Sequence, residues 1–367
     1  MVLLSLLTIV GESTLPTFVT TTEAATRKKK RTKKRTTSSK SAVISVIMQD
    51  KSTGEWIHKG RKKIVIHRDS TGQLRAMAPF SMGAHIARPY AEIINKYGNE
   101  LKSDSVKVYS LIAPSQGEFY MPSLINYNSS QDSTIRIWSE YLEPSVTHVF
   151  VCDTLKKHKE EDIYLHTDHH WSPLGAFYAA KVIAGITGHS FFPLEHYQTD
   201  TIKNFVGTMH KFSGDKEILK YPEDFIYYIP PGDYEAEFID YTLKKNKVAA
   251  TESAPHIAPL FRKTPHGSSA AYSTIIGGDN HTVKIINKNG ETGRKVLLVK
   301  DSYGNAIAPF LINSFDEVHV IDFRHFPHNL LKYVRKNNIT DLIFENCIDI
   351  AFTPSTAARL NELFICK

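Results

Sequence analysis

The sequence predicts a three-layer α/β/α fold around a central parallel sheet. Short β-branched runs alternate with amphipathic stretches, several of the runs are apolar without interruption, and 41% of the 367 residues are hydrophobic, enough for a substantial core. The strands are expected at Val106 to Ala113, Thr147 to Cys152, Lys295 to Lys300, Val318 to Phe323 and Asp341 to Glu345. Continuous apolar character over so few residues marks strands buried on both faces. Helical periodicity places helices around Ala84 to Tyr97, Thr134 to Tyr141, Pro173 to Ile183, Ala306 to Phe315, Leu330 to Asn337 and Ser355 to Phe364. Residues 190–290, rich in Pro, Tyr, His and Gly, fit the alternation less well and read as a large insertion or a small β-rich lobe over the sheet.

The N-terminal part has a different composition. Val2 to Val10 is an apolar run of signal-peptide length, and Glu23-Ala24-Ala25 offers small residues suited to cleavage, so residues 1–25 read as a signal-peptide-like segment and the protein as exported, to the periplasm, the cell surface or the medium. Acidic Glu12 and a Thr-rich stretch follow the run, no basic residue precedes it, and it is too short to span a bilayer of ~30 Å. Residues 26–41 form a basic linker in which eight of the nine positions from Arg27 to Arg35 are Lys or Arg. Such a tail is a solvated segment or a peripheral contact for anionic headgroups. Residues 1–40 hold nine basic and two acidic residues, and this surplus equals the whole net charge of +7. The domain from 42 to 367 is therefore close to neutral, which argues against nucleic-acid binding by a folded face. Cys152, Cys347 and Cys366 are too few and too scattered for a disulfide framework or a structural zinc site, and allow one optional disulfide at most.

Two motifs carry chemistry. The strand Lys295 to Lys300 stops at Asp301-Ser302-Tyr303-Gly304-Asn305, after which a helical pattern begins. This places Ser302 at a strand-to-helix turn, where the carboxyl end of a strand and the N–H groups of a helix start meet. A serine there is a candidate nucleophile or the cap of the following helix. The second motif is His166-Thr167-Asp168-His169-His170-Trp171, before a helix opened by Ser172-Pro173. An Asp two residues before a His in an extended segment lies on the same side, so Asp168 can orient His170 as a base. Three His and one Asp also suit half of a metal site, but His256, His266, His281, His319, His325 and His328 supply no second cluster with ligand spacing. No metal or other cofactor is expected.

Together the motifs resemble the DHHW proteins, relatives of the SGNH hydrolase-like alginate O-acetylation proteins. The resemblance rests on Thr167-Asp168-His169-His170-Trp171, on Lys300-Asp301-Ser302-Tyr303-Gly304-Asn305-Ala306 with Pro309-Phe310-Leu311, and on weaker blocks between residues 80 and 350: Tyr90-Ala91 with Ile94-Asn95, Ala113-Pro114-Ser115, Gly207-Thr208 to Gly214-Asp215, and Gly277-Gly278-Asp279-Asn280. It implies an SGNH-hydrolase-like (flavodoxin-like) domain and acyl transfer by Ser302, with His170 as base and Asp168 as its orienting acid. His169 is expected to be a hydrogen-bond partner or a packed ring. Lys300 stands where many SGNH proteins have Gly. Candidate oxyanion or substrate-binding groups are Tyr303, Asn305, Asn280, Ser115 and Trp171, with Gln116 beside Ser115 and Tyr120 and Tyr272 as sugar-stacking rings. The resemblance further implies an extracytoplasmic O-acetyltransferase or acetylesterase acting on a polysaccharide, its acyl donor supplied by a membrane-bound O-acyltransferase. The alternatives are a catalytically silent carbohydrate-binding or assembly protein and a metal-dependent hydrolase.

Overall fold

The structure is a computed structural model that describes residues 46–50, 54–59, 64–68, 72–121, 125–245 and 248–366. The signal-peptide-like segment and the basic linker lie outside the described residues. A central sheet organises the chain. From edge to edge its strands are Ala249–Glu252, Tyr234–Leu243, His281–Asn287, Glu317–Asp322, Lys295–Lys300, Asp341–Cys347, Lys107–Ala113 and Val146–His148, and the two-residue strand His256–Ile257 also pairs with Tyr234–Leu243. The five strands from Glu317–Asp322 to Val146–His148 are parallel, with Val299 opposite both Ile321 and Phe344. These are the five runs that the sequence predicts.

Their uninterrupted apolar character follows from two buried faces. Val296 and Leu298 enter one core with Ile343, while Leu297 and Val299 enter the other with Leu342 and Phe344. Successive side chains on a strand point to opposite faces, so both faces must be apolar where helices cover both. The helices Pro173–Thr187 and Gly304–Leu311 cover the first face; Arg88–Leu101, Leu330–Lys336 and Pro354–Ile365 cover the second. The helix Pro173–Thr187 starts where its sequence dictates, with Ser172 Oγ accepting from Gly175 N at 3.2 Å and Pro173 in the first turn.

Three features depart from the sequence reading. The segment expected as a separate lobe divides: Gln198–Phe205 and Glu223–Ile229 make a two-stranded antiparallel ribbon, but Tyr234–Leu243 and His281–Asn287 extend the central sheet. Ala236 and Phe238 of that extension are buried in the same core as Val283 and Ile285, which is the physical reason for its incorporation. A four-stranded antiparallel sheet of Val46–Asp50, Gly54–Lys59, Ile64–Arg68 and Leu74–Met77 precedes the domain core and is tied to the histidine motif by Ala76 N donating to His166 O at 2.9 Å. The strand expected to reach Cys152 ends at His148, and a helix Cys152–Lys157 follows, because Val149, Val151 and Cys152 find burial between the two cores by turning inward rather than lengthening an edge strand. Cys152, Cys347 and Cys366 are all unpaired thiols.

Candidate active site

The site lies beyond the carboxyl ends of Lys295–Lys300 and Asp341–Cys347. Ser302 sits in the turn between the first of these strands and the helix Gly304–Leu311. Asp301 holds that turn: its carboxylate accepts from Tyr303 N at 2.9 Å and from Cys347 N at 2.8 Å, which ties the turn to the end of the neighbouring strand. Gly304 is required by space, since a Cβ there would lie 2.4 Å from Lys300 Cβ and 2.7 Å from Glu345 Oε2. The histidine motif forms a loop closed by an antiparallel bridge between Tyr164 and Trp171. Loop and turn are fastened reciprocally: Trp171 Nε1 donates to Tyr303 O at 3.0 Å, and the Tyr303 hydroxyl donates to His169 O.

This fastening brings Ser302, His170 and Asp168 into one chain of contacts. Ser302 Oγ is 2.7 Å from His170 Nε2, and His170 Nδ1 is 2.5 Å from Asp168 Oδ1. Asp168 is buried and its lone pairs are filled. Oδ1 also accepts from His170 N at 3.1 Å, and Oδ2 accepts from Thr208 N at 2.7 Å and Thr208 Oγ1 at 2.9 Å. Burial pushes this carboxyl up, but the His170 ring and its hydrogen bond, then His169 and the Thr208 amide, outweigh it and hold Asp168 well below the usual carboxylate range. An ionised Asp168 fixes the proton of His170 on Nδ1 and leaves Nε2 to accept from the serine. Gly207 lets the Thr208 segment approach, because a Cβ on it would fall 2.3 Å from Asp168 Cβ. Tyr272 stacks on His170 with ring centroids 3.8 Å apart and planes at 6°, which holds the plane of the imidazole.

Asp168, His169 and His170 also bring ligand atoms within 4.8 Å of one another. The donor set is poor for an ion, since both oxygens of Asp168 are already used by protein donors.

Of the other residues that the sequence singles out, Trp171 and Tyr303 are at the site as buried props. The Tyr303 amide is spent on Asp301, whereas the Ser302 amide has no partner among the described residues. Asn305 turns its Nδ2 to Asp279 Oδ1 at 2.9 Å. Ser115 is sealed against Gln131, which accepts from Ser115 N at 2.8 Å and donates to Ser115 Oγ at 2.9 Å. Gln116 Nε2 donates to Ala76 O at 2.8 Å and Asp168 O at 3.0 Å, which props the motif from behind. Asn280 lies on an exposed turn whose carbonyl accepts from Tyr241 N. Tyr120 lies under the Arg75 guanidinium and donates to Lys159 O at 2.9 Å. Tyr272 stacks on His170 instead of offering a free face to sugar.

Sequence reasoning missed Thr208 as a donor, Glu223, and the ion network beneath Ser302. Glu223 accepts from His166 N at 2.8 Å, and its other oxygen takes Thr167 N at 2.6 Å and Thr167 Oγ1 at 2.5 Å. Lys300, fully buried, points under the turn and donates to Asp279 at 2.9 Å and Asp322 at 3.2 Å; Arg324 bridges the same two carboxylates at 3.0 and 2.5 Å. A lysine at this position thus compensates two acids and does not reach toward Ser302. The weak blocks around Gly207-Thr208 and Gly277-Gly278-Asp279-Asn280, and Lys300 in place of the usual Gly, were the sequence signals for these contacts; Glu223, Asp322 and Arg324 left none.

A protein with this sheet, this turn and this histidine loop has the SGNH-hydrolase-like α/β architecture. The sequence matches the DHHW protein family over residues 69–321. A crystal structure of a DHHW family protein from Eubacterium siraeum is 34% identical and superposes with a TM-score of 0.74, covering 84% of this chain and 97% of that one. The chain belongs to the DHHW family. Bacillus cereus PatB1 with a sulfonyl adduct shares the fold at 20% identity and a TM-score of 0.61, over 81% of this chain and 99% of PatB1. A second PatB1 structure gives 21% identity and 0.58, over 79% and 99%. No curated protein sequence matches.

Proposed function

We propose that the protein is an acyl-transfer enzyme in which Ser302 is the nucleophile, His170 the general base and Asp168 its orienting acid. The observation that carries this reading is the unbroken chain from Ser302 Oγ through His170 to an Asp168 carboxylate filled by four donors. In the first half-reaction His170 Nε2 takes the Ser302 proton as Oγ attacks the acyl carbonyl carbon. The tetrahedral oxyanion is held by the Ser302 amide beside the start of the helix Gly304–Leu311, and one such donor lowers the barrier by about 3 kcal/mol. The leaving group takes the proton from His170, and the acyl group stays on Ser302. In the second half-reaction an incoming hydroxyl gives its proton to His170 and takes the acyl group.

The acyl group is acetyl and the acceptor a cell-surface or exported polysaccharide in this reading, with a membrane-bound acyltransferase as donor system and water as the competing acceptor. Residues 1–25 direct export, 26–41 link, and 42–367 are the catalytic domain. No described helix is long and apolar enough to cross a membrane.

The test is p-nitrophenol release from p-nitrophenyl acetate by the wild type, Ser302→Ala, His170→Ala and Asp168→Asn. Turnover that falls toward background in all three supports the triad, and Asp168→Asn is expected to lose roughly 10⁴-fold in kcat because the histidine tautomer is no longer fixed. Ser302→Ala at full rate refutes it. A sulfonyl fluoride, chosen because PatB1 carries a sulfonyl adduct, should label Ser302 and no other serine.

A further inference from the structure

The neighbouring histidine of the motif, His169, is held in the same manner as His170. The two imidazoles face one another with centroids 3.8 Å apart. His169 Nδ1 lies 2.7 Å from Thr208 Oγ1 and 3.5 Å from Asp168 Oδ1. The Thr208 hydroxyl has one hydrogen, and the ionised Asp168 carboxylate, 2.9 Å away, has none to give. Thr208 therefore donates to Asp168 and accepts from His169, which puts the His169 proton on Nδ1. Both rings turn Nδ1 toward Asp168 and Thr208, so both present Nε2 on the far side. That of His170 meets Ser302; that of His169 has no partner among the described residues, and a third of its side chain is exposed. Burial first, then the charge of His170, lowers His169 to about 3, so its lone pair is free at neutral pH.

We infer that His169 Nε2 is an acceptor-binding group that receives a hydrogen bond from a second hydroxyl of the molecule being acylated, which selects a sugar-like diol over a simple alcohol or water. The inference rests on the acyl-transfer reading above. The attacking hydroxyl carries a single proton, and that proton must go to His170 as the new ester bond forms and the bond to Ser302 Oγ breaks; it then returns to Ser302. It is not available to His169. A neighbouring hydroxyl of the same acceptor is, and a pyranose supplies one on the adjacent carbon. His169 exchanges no proton in this scheme and acts by holding the acceptor in register.

The experiment partitions one acyl-enzyme between acceptors. Full-length protein and p-nitrophenyl acetate are incubated with trans-1,2-cyclohexanediol and cyclohexanol at equal hydroxyl concentration, the alcohol at twice the diol, and the two monoacetates are quantified. Their ratio is set after acylation, so a merely structural loss of rate leaves it unchanged. The wild type should favour the diol, His169→Ala should reduce that preference about fivefold, as expected for one lost neutral hydrogen bond, and His169→Gln, which keeps an acceptor, should restore part of it. A wild type that forms both esters equally or forms neither, or a His169→Ala ratio equal to that of wild type, overturns the inference. If p-nitrophenol release still depends on Ser302 in that case, the triad stands; if it does not, both readings fall. Should His169→Ala not fold, nitrogen NMR of the wild type decides: a protonated Nε2 on His169 at neutral pH, or no shift of its resonance on adding the diol, also overturns it.

Discussion

Replacing Thr208 by Val removes one hydroxyl and keeps the side-chain shape, so it takes away one donor to Asp168 together with the acceptor of His169 Nδ1. Two donors serve Asp168 Oδ2, the Thr208 amide at 2.7 Å and the Thr208 hydroxyl at 2.9 Å, and only the second is lost. A hydrogen bond to a charged group contributes about 1.5–3 kcal/mol. Because Asp168 must be ionised to fix His170 and to stabilise its cation, that loss should appear in the acylation barrier as a roughly 10- to 100-fold fall in kcat/KM for p-nitrophenyl acetate. The sign of the pH effect follows from the same contact. Asp168 is held well below the usual carboxylate range, and removal of a donor to its charged form raises its pKa. The carboxylate is then protonated at a higher pH than in the wild type. Thr208→Ser, which keeps the hydroxyl, should recover most of the rate. The assay is a pH profile of kcat/KM for the three proteins, with thermal unfolding as the control for folding. A Thr208→Val enzyme within twofold of wild type across that profile would refute the claim that this hydroxyl supports the carboxylate.

Two further substitutions probe the turn and the charges below it. Gly304→Ala places a Cβ against Lys300 Cβ and the Glu345 carboxylate, neither of which has free space to move into, and should cost about 1–3 kcal/mol in denaturant unfolding while displacing Ser302 enough to lower kcat sharply. Wild-type stability and activity in this variant would show that the turn has room the distances deny. Burial, then the neighbouring Asp301, raises the Glu345 carboxyl well above its ordinary value, and its two oxygens are buried without a side-chain partner among the described residues. A group whose folded pKa is raised leaves the fold most stable below its unfolded value and penalises it as pH climbs toward the folded one. Glu345→Gln should therefore raise the denaturation midpoint at neutral pH and leave it unchanged at pH below the ordinary carboxylate range; an equal change at both would contradict the buried neutral acid.

The sequence made the parallel centre of the fold readable because each of those strands is buried on both faces, and a short unbroken apolar run has few other uses. Lys295 to Lys300 is recovered residue for residue. Tyr234–Leu243 and His281–Asn287 were not placed, since strands that join a sheet from its antiparallel side carry a mixed pattern, with charged residues such as Glu235, Glu237 and Lys284 interleaved among Ala236, Phe238 and Val283. Local composition there does not say which sheet the strand will enter.

The same division runs through the site. Ser302 after a buried strand, and Asp168 two residues before His170, are local patterns, and local geometry dictates them: a strand end exposes the turn, and an extended segment sets alternate residues on one side. The chain between His170 and Ser302, 132 positions apart, carries no pattern that states their 2.7 Å separation; that comes from the Tyr164–Trp171 bridge and the reciprocal bonds between the loop and Tyr303. The contacts of partners supplied from a distance were likewise unreadable, because Thr208 and Glu223 are ordinary polar residues until the fold presses them against the motif. Asn280, Ser115 and Asn305 show the converse: their types suited an oxyanion site, but the sheet and its turns spend them elsewhere. By itself the sequence determined the five parallel strands, the Ser302 turn and the Asp-His pair, since each depends on neighbours a few residues away. The tertiary structure alone decided which donors fill Asp168, that Lys300 serves Asp279 and Asp322, and that His169 is left with one open nitrogen, because those follow from contacts between segments whose separation along the chain holds no record of their distance in space.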